Sequence, residues 1–255
     1  AETVQARKIV EQFAKGLPDL GKMKSWEDFL RGEGDYASYG LDVRRKIWND
    51  RSDIRNKVGS EISDYDLSDI DLRGFDFSGM GLIDCKFSST NLMGASFFHS
   101  RLRGSKFVNS NLEGANFSTS FFLADVNFIG VKASKAVFKG SIFKGVVLFN
   151  GDFSETDFSN VRTEGGLMSL DKANFNNSDF RSAEMRWRVN SPCSFANADL
   201  RKASILINGL INLSAGNTFL GANVAKAQFL RTDNDKGRWG DAIRKAKNWE
   251  DAGFN

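Results

Sequence analysis

A large apolar residue recurs at every fifth position of this chain. From Leu67 the series runs Leu67, Leu72, Phe77, Leu82, Phe87, Leu92, Phe97, Leu102, Phe107, Leu112, Phe117 and Phe122 without a break. It slips by one residue and resumes at Phe128, Phe138, Phe143, Leu148, Phe153, Phe158 and Met168. It slips again into Phe175, Phe180, Met185, Phe195, Leu200, Ile205 and Leu210, and closes with Phe219, Val224 and Phe229. Of 32 such positions 29 are large and apolar, the exceptions being Ala133, Thr163 and Asn190. Period five fits neither a helix, at 3.6, nor a strand, at 2.0, nor a heptad seam at 3.5. Each five-residue unit is therefore expected to be its own small element, a short extended segment and then a corner.

Satellite positions support that unit. Two residues before the apolar position stands a small residue, as at Ala95, Ser100, Ser105, Ser110, Ala115, Ser120, Ser141, Ser178 and Ala203. Two residues after it Gly is frequent, as at Gly74, Gly79, Gly94, Gly104, Gly114, Gly130, Gly140 and Gly145. A corner often needs positive φ, which Gly supplies. Asn or Asp often comes just before the apolar residue, as at Asp66, Asp71, Asp76, Asn91, Asn111, Asp179 and Asp199. Alternation then sends the small and large residues to one side and the Asn or Asp to the other. A unit this short cannot bury its apolar face alone, but stacked units can.

Stretches such as TNLMGASFFHSRLRGSKFVNSNLEGANF and KANFNNSDFRSAEMRW strongly resemble the pentapeptide-repeat proteins, whose unit reads roughly A-(N/D)-(L/F)-x-x. The resemblance covers about 63–230. It implies a mainly β fold, a right-handed quadrilateral β-helix with four pentads per coil and about eight coils. The shaft would be lined by Leu92, Phe97, Leu102, Phe107, Leu112, Phe117, Phe138, Phe143, Phe153, Phe158, Phe175 and Phe180. At about 4.8 Å per coil the rod would be roughly 38 Å long. The resemblance carries no function, because fold does not imply function.

The flanks lose the repeat. Residues 1–62 read as a helical N-terminal cap or interaction region: Val4, Ile9, Val10, Phe13 and Leu17 share one helical face, Ser25 can cap a short helix with Trp26, Phe29 and Leu30, and a third helix should run from about Asp42 to Val58. Residues 231–255 read as a C-terminal capping helix, with Trp239, Ala242, Ile243, Ala246 and Trp249 on one face. Solenoids need such caps to cover their apolar ends. Extra residues at 123–127, 169–172 and 211–218 should bulge outward as loops, where binding function tends to sit.

Composition narrows the chemistry. Sixteen of the 23 Phe fall on the repeat, so the Phe content reads as packing rather than as an aromatic binding surface. Cys85 and Cys193 occupy the small inward position and read as buried free thiols. His99 is the single histidine and reads as a solvated corner residue. No metal-ligand cluster, phosphate loop or nucleophile elbow is present in the sequence, so neither an enzyme nor a cofactor is expected. The Asp spacing is the repeat itself. No apolar run approaches a membrane span, and nothing resembles a signal peptide.

Charge bears on partners. Residues 63–230 hold 16 Asp and Glu against 17 Lys and Arg, and the whole chain carries +3. Some members of the family that the repeat resembles act on type II topoisomerases, quinolone-resistance proteins among them, as rod-shaped mimics of duplex DNA. Mimicry calls for a strong negative excess, which this stretch lacks, although Asp64, Asp66, Asp69, Asp71, Asp76 and Asp84 make the first coil locally acidic. Arg181 and Arg201, twenty residues apart, should stack on adjacent coils. With Arg186, Trp187, Arg188 and Lys202 they make a candidate basic and aromatic patch for a partner; the competing reading is a solvated face balanced by Asp. The expected function is a non-enzymatic protein–protein interaction or scaffold module of bacterial type. It would be cytoplasmic or secreted into a host cell, with a protein partner, nucleic acid disfavoured, and an end or cap available for a homodimer. The alternatives are a gyrase-interacting DNA mimic and a targeting domain of a longer protein.

Overall fold

The structure is a computed structural model, described here over residues 26–50, 61–189, 191–208, 219–231 and 244–254. Two helices, α1 (Trp26–Arg31) and α2 (Leu41–Asp50), precede a parallel β-solenoid. One face of the solenoid carries strands β1 (Glu61–Ser63), β2 (Gly81–Ile83), β3 (Arg101–Arg103), β4 (Phe121–Leu123), β5 (Ile142–Lys144), β6 (Arg162–Thr163), β8 (Glu184–Arg188), β9 (Ser204–Asn208), β10 (Gln228–Arg231) and β11 (Gly253–Phe254), hydrogen-bonded in that order. Strand β7 (Met168–Ser169) pairs with β8 off this path. The other three faces are columns of single parallel bridges. One runs Asp66, Lys86, Lys106, Asn127, Val147 and Ser169; the next runs Asp71, Asn91, Asn111, Lys132, Asp152, Asn174 and Ser194; the last runs Asp76, Ser96, Asn116, Val137, Asp157, Asp179, Asp199, Asn223 and Lys247. Four faces and about eight turns are what the resemblance to pentapeptide-repeat proteins implies.

Each corner explains its residues. The carbonyl of the apolar residue accepts the N–H three residues on, as in Ala95 to Leu92 at 3.0 Å and Ser100 to Phe97 at 3.1 Å. The third residue of the turn is left-handed, at φ 64° for Gly94 and 56° for His99. That is a type II turn, which is why Gly and Asn recur there. Corner His99 is exposed, as expected. At Gly104, φ 62°, a β-carbon would also collide with the Asp84 carboxylate of the coil before it. The Asn or Asp before each apolar residue closes the corner from outside. Its side-chain oxygen accepts the N–H two residues on, at 2.9 Å from Ser118 to Asn116 and 2.9 Å from Arg181 to Asp179. This Asx geometry accounts for the Asp column without any catalytic role.

The shaft is an aromatic stack. Phe77, Phe97, Phe117, Phe138, Phe158 and Phe180 lie one above another, with centroids 5.2, 4.6, 4.9, 5.0 and 4.9 Å apart and rings within 12° of parallel. All twelve residues expected to line it are buried. Coil spacing imposes the face-to-face stacking, and rings on neighbouring faces meet edge-on, as Phe107 and Phe117 do at 86°. The small inward residues have their own ladder. The Ser100, Ser105, Ser120, Ser141 and Ser178 hydroxyls donate to the carbonyls of Phe77, Leu82, Phe97, Phe117 and Phe153 at 2.6–2.9 Å. Cys85 and Cys193 sit in the same inward position, and burial pushes both thiols up to about 12, where they stay protonated and inert.

Ser120 offers a test of the hydroxyl ladder. Its hydroxyl donates to Phe97 O at 2.6 Å and accepts the Ser100 N–H at 3.2 Å. Ser120→Ala removes both bonds while Phe97 O and the Ser100 N–H stay paired with each other at 3.1 Å, so the cost is about 0.5–1.5 kcal/mol. The expected result is a lower denaturant midpoint with an unchanged m-value; an unchanged midpoint would show that the ladder contributes nothing.

Several expectations need correction. The second insertion lies upstream of 169–172: Ile142 pairs with Arg162, twenty residues on, whereas Val147 pairs with Ser169, twenty-two on, so the extra residues sit at 164–167. Leu170, not Met168, then takes the column position above Leu148, and Met168 packs inward beside Trp187. The extra residue near 123–127 makes no large loop; it is absorbed at Ala124 and Asp125, at φ 130° and 53°. Residues 244–254 are not an α-helix. Lys247 bridges Asn223, Trp249–Asp251 form a 3-10 turn, and β11 pairs with β10, so the tail extends the ladder by another rung. Trp239, Ala242 and Ile243, the helix of residues 4–17 and the insertion at 211–218 lie outside the described residues.

The described N-terminal helices cap the first coil as expected. Their side chains supply the hydrogen bonds that a preceding coil would have made. Glu27 accepts the Asp66 N–H at 2.8 Å and Arg31 donates to Asp66 O at 2.7 Å. Asn49 accepts the Asp76 N–H at 2.9 Å, and the Trp48 indole donates to Asp76 O at 2.7 Å. Arg45 reaches Arg73 O at 3.2 Å. An open parallel edge is thus covered by side chains rather than by another strand.

Candidate functional site

The six residues singled out from the sequence do not form one patch. Trp187 is buried, with its ring stacked on Phe195 at 4.8 Å and 14°. In the five-residue strand β8 the side chains alternate, so Met185, Trp187 and Val189 point inward and Arg186 and Arg188 outward. An aromatic contact surface at Trp187 is therefore excluded by strand alternation. Arg186 and Arg188 stand on the strand face.

Arg181, Arg201 and Lys202 lie at the corner that leads into the strand face. Arg181 and Arg201 do stack on adjacent coils, but each is held by the Asp two residues before it. Arg181 donates through Nε and Nη2 to Asp179 at 2.9 and 2.5 Å, and Arg201 likewise to Asp199 at 2.9 and 2.6 Å. Hydrogen bonds and charge from these carboxylates hold both guanidiniums above their usual value. Burial opposes ionisation of Asp199, yet Arg201 outweighs it and keeps the carboxyl below the usual range. The reading of a face balanced by Asp thus describes the Arg181–Arg201 stack. Beside it runs a shallow cleft of about 410 Å³ lined by Lys139, Ser159, Asn160, Arg181, Ser182, Arg201 and Lys202.

The strand face holds what the sequence reading missed. Its outward residues should be polar, yet Phe121, Leu123 and Ile142 stand there side by side. Phe121 is in register with Ile142 on one side and Arg101 on the other, and Leu123 with Lys144. Leu123 is 42% exposed, and Phe98, on the adjoining corner, 47%. The His99 ring bridges them, 6.2 Å from Phe98 and 5.9 Å from Phe121. Arg101, Arg103, Lys144 and Arg162, all exposed, border this apolar strip. Carboxylates also stand by the strip: exposed Asp125 follows Leu123 by two residues, Asp84 lies against Gly104, and Glu184 is 3.8 Å from Arg162. The signal was present: Phe98 and Phe121 fall off the five-residue repeat, Phe98 in a column that otherwise reads Ser78, Ser118, Lys139, Ser159, Arg181 and Arg201, and Phe121 in one that reads Glu61, Gly81, Arg101, Ile142 and Arg162.

Among the described residues no group of three or more His, Cys, Asp or Glu could hold a metal ion, and no helix is long and apolar enough to cross a membrane. Three residues in the bridge column from Asp76 to Lys247, namely Asp157, Asp179 and Asp199, form consecutive carboxylates. Two of the three are already bound to arginine.

Comparison with known proteins agrees with the architecture. The sequence profile for pentapeptide repeats matches residues 62–98, 95–122 and 123–160, in eight copies. No curated protein sequence matches the chain. Among solved structures, a pentapeptide repeat protein of the Arabidopsis thaliana thylakoid lumen is 28% identical over 42% of this chain and 71% of its own, with a TM-score of 0.35. HetL, a pentapeptide repeat protein involved in regulating heterocyst differentiation in the cyanobacterium Nostoc, is 15% identical over 78% and 91%, with a TM-score of 0.26. QnrB1, a plasmid-mediated fluoroquinolone resistance protein, is 16% identical over 76% and 91%, with a TM-score of 0.29. Residues 62–160 thus carry pentapeptide repeats, and the four-faced coil continues them past residue 160.

Proposed function

We propose that the chain is a non-enzymatic scaffold of bacterial type that docks a protein partner on its strand face. The observation that carries this reading is the apolar strip of Phe98, Phe121, Leu123 and Ile142. The repeat does not need apolar residues there: the positions equivalent to Phe98 on the neighbouring coils are Ser78 and Ser118, and the rod is buried and stacked without them. Exposed apolar side chains grouped on a flat surface mark an interaction site, and the surrounding arginines and lysine suit a partner rich in Asp and Glu. The strand face is rigid, because every strand in it is paired on both sides between β1 and β11, so binding would cost it little ordering. A DNA mimic of the gyrase-binding kind is not favoured, since the rod is nearly neutral and two of its three consecutive carboxylates are already occupied by arginine.

The test is the double variant Phe98→Ser with Leu123→Asn. Both residues are exposed, so thermal stability should stay within about 0.5 kcal/mol of the parent. Quantitative affinity capture from bacterial and host-cell lysates should recover a specific partner with the parent chain and at least tenfold less with the variant. Equal recovery would overturn docking on this face, and capture of gyrase with inhibited supercoiling would restore the mimic reading.

A further inference from the structure

The cleft at the corner before the strand face has donors and cations on every side and no carboxylate among its lining residues. It arises from a change of side-chain length along one column. The residue after the apolar position reads Ser118, Lys139, Ser159, Arg181 and Arg201 on successive coils. Ser159, short and buried, forms the floor, and Lys139 and Arg181 rise on either side of it, two coil spacings or about 10 Å apart. The next residues, Asn160, Ser182 and Lys202, line one flank, and Asn160 and Lys202 adopt the left-handed corner conformation at φ 58° and 60°.

The carboxylates behind the cleft offset the charge of its two arginines and orient them, so that Lys139 and Lys202 supply its net positive charge. Asp179 and Asp199 each engage Nε and Nη2 of an arginine, which leaves the Nη1 amino group of each guanidinium available and its plane fixed. Asp157, at the equivalent position one coil earlier, accepts the backbone N–H of Ser159 at 2.8 Å. Lys139 and Lys202 have no carboxylate partner among the described residues. Four cations, two of them held in place, together with an amide and a serine hydroxyl, match a compact oxyanion with several acceptor oxygens rather than an apolar ligand or a metal ion.

We infer that the cleft formed by Lys139, Asn160, Arg181, Ser182, Arg201 and Lys202 is a binding site for a phosphomonoester. The arginines present fixed donors to two of the phosphate oxygens, and Lys139 and Lys202 close over it as mobile point charges. The inference is independent of docking on the strand face, since it uses none of the residues of the apolar strip. A phosphomonoester could arrive as a phosphorylated side chain of a protein or as a free phosphorylated metabolite; the chemistry recognised is the same.

The experiment titrates the isotope-labelled full chain with inorganic phosphate and, separately, with a phosphoserine peptide, following backbone amide shifts at constant ionic strength. Chloride and the unphosphorylated peptide are the controls. Saturable shifts confined to residues 139–140, 159–160, 181–182 and 201–202 are expected with both phosphate probes. The variant Lys139→Ser with Lys202→Gly uses residues that the repeat itself places in these columns and that tolerate the corner geometry. It should fold with an unchanged circular dichroism spectrum and bind phosphate at least tenfold more weakly, whereas Lys139→Arg should keep most of the affinity. A peptide that binds more tightly than free phosphate points to a protein-borne group, and equal affinity to a free metabolite. Shifts that do not saturate, that chloride reproduces, or that persist in the double variant would overturn the site.

Discussion

Phe143→Asp is expected to leave the protein without a cooperative thermal transition. Phe143 is fully buried and meets Phe122 edge-on at 4.6 Å and Phe138 at 5.8 Å. Losing the ring costs about 3–5 kcal/mol through lost burial and the cavity left behind. Placing a carboxyl in that hole adds several kcal/mol more, whether it stays charged or takes up a proton. The position offers no rescue: the Phe143 carbonyl already accepts the Glu164 N–H at 2.9 Å, and the column neighbours are Phe122 and Thr163. The Thr163 hydroxyl accepts the Arg186 N–H at 2.7 Å and keeps one O–H to donate, too little to replace the hydration of a carboxylate. The combined cost reaches the whole stability of an ordinary domain, about 5–15 kcal/mol. Circular dichroism against temperature checks it, with Phe143→Leu as the control that should still melt cooperatively. A variant with the parent's melting temperature would mean that this column is not the core.

The position of Phe143 matters as much as its burial. A solenoid coil touches only its neighbours, so stability is passed along the axis from coil to coil. A break in the fifth strand separates the coils before it from those after it. Neither half keeps a continuous stack, because the Phe117–Phe138–Phe158 ladder passes directly beside the substituted position.

The sequence made the coil legible because in a solenoid one residue per five does one job, and its chemistry recurs. The apolar residue, the small residue, the Gly and the Asn or Asp each report a separate local constraint, namely stacking, room beneath the coil, positive φ and the Asx bond. Features that depend on register between coils were harder to read. Trp187 looked like a surface residue because two arginines flank it, yet in an extended strand flanking residues face the opposite way. The insertion upstream of Leu170 was misplaced because Met168 is itself apolar and keeps the count going, and only the pairing of Val147 with Ser169 shows where the extra residues went. The C-terminal residues Ala246 and Trp249 fit a helical face, but Lys247 forms a bridge with Asn223 and the ladder continues. The apolar strip does not show in the total of Phe, only in the columns where Phe stands. Phe98 and Phe121 are the departures from the repeat, and departures are where a repeat protein can carry information beyond its fold.

Trp48→Ala is expected to release the N-terminal cap while leaving the middle of the rod intact. The indole is fully buried, packs 5.6 Å from Phe77 at the open end of the aromatic stack, and lies 6.0 Å from Trp26 of α1. Its removal costs about 3–5 kcal/mol and also removes the Trp48 bond to Asp76 O. The indole is the largest buried contact of α2: the remaining side-chain bonds to the rod, Arg45 to Arg73 O and Asn49 to Gly74 O and the Asp76 N–H, contribute about 0.5–1.5 kcal/mol each, and the Arg45–Asp42 pair lies within α2 itself. With the cap undocked, Glu27 no longer covers the Asp66 N–H, nor Asn49 the Asp76 N–H, and the first coil becomes an open parallel edge. Hydrogen exchange followed by mass spectrometry should show protection lost over residues 26–50 and 61–80 and retained from Phe97 to Phe180, where coils are bonded on both sides. Nearest-neighbour coupling predicts that gradient. Uniform loss along the chain would instead mean that the cap nucleates the whole solenoid, and unchanged protection would mean that the side-chain bonds to Asp66 and Asp76, rather than the buried indole, hold the cap in place.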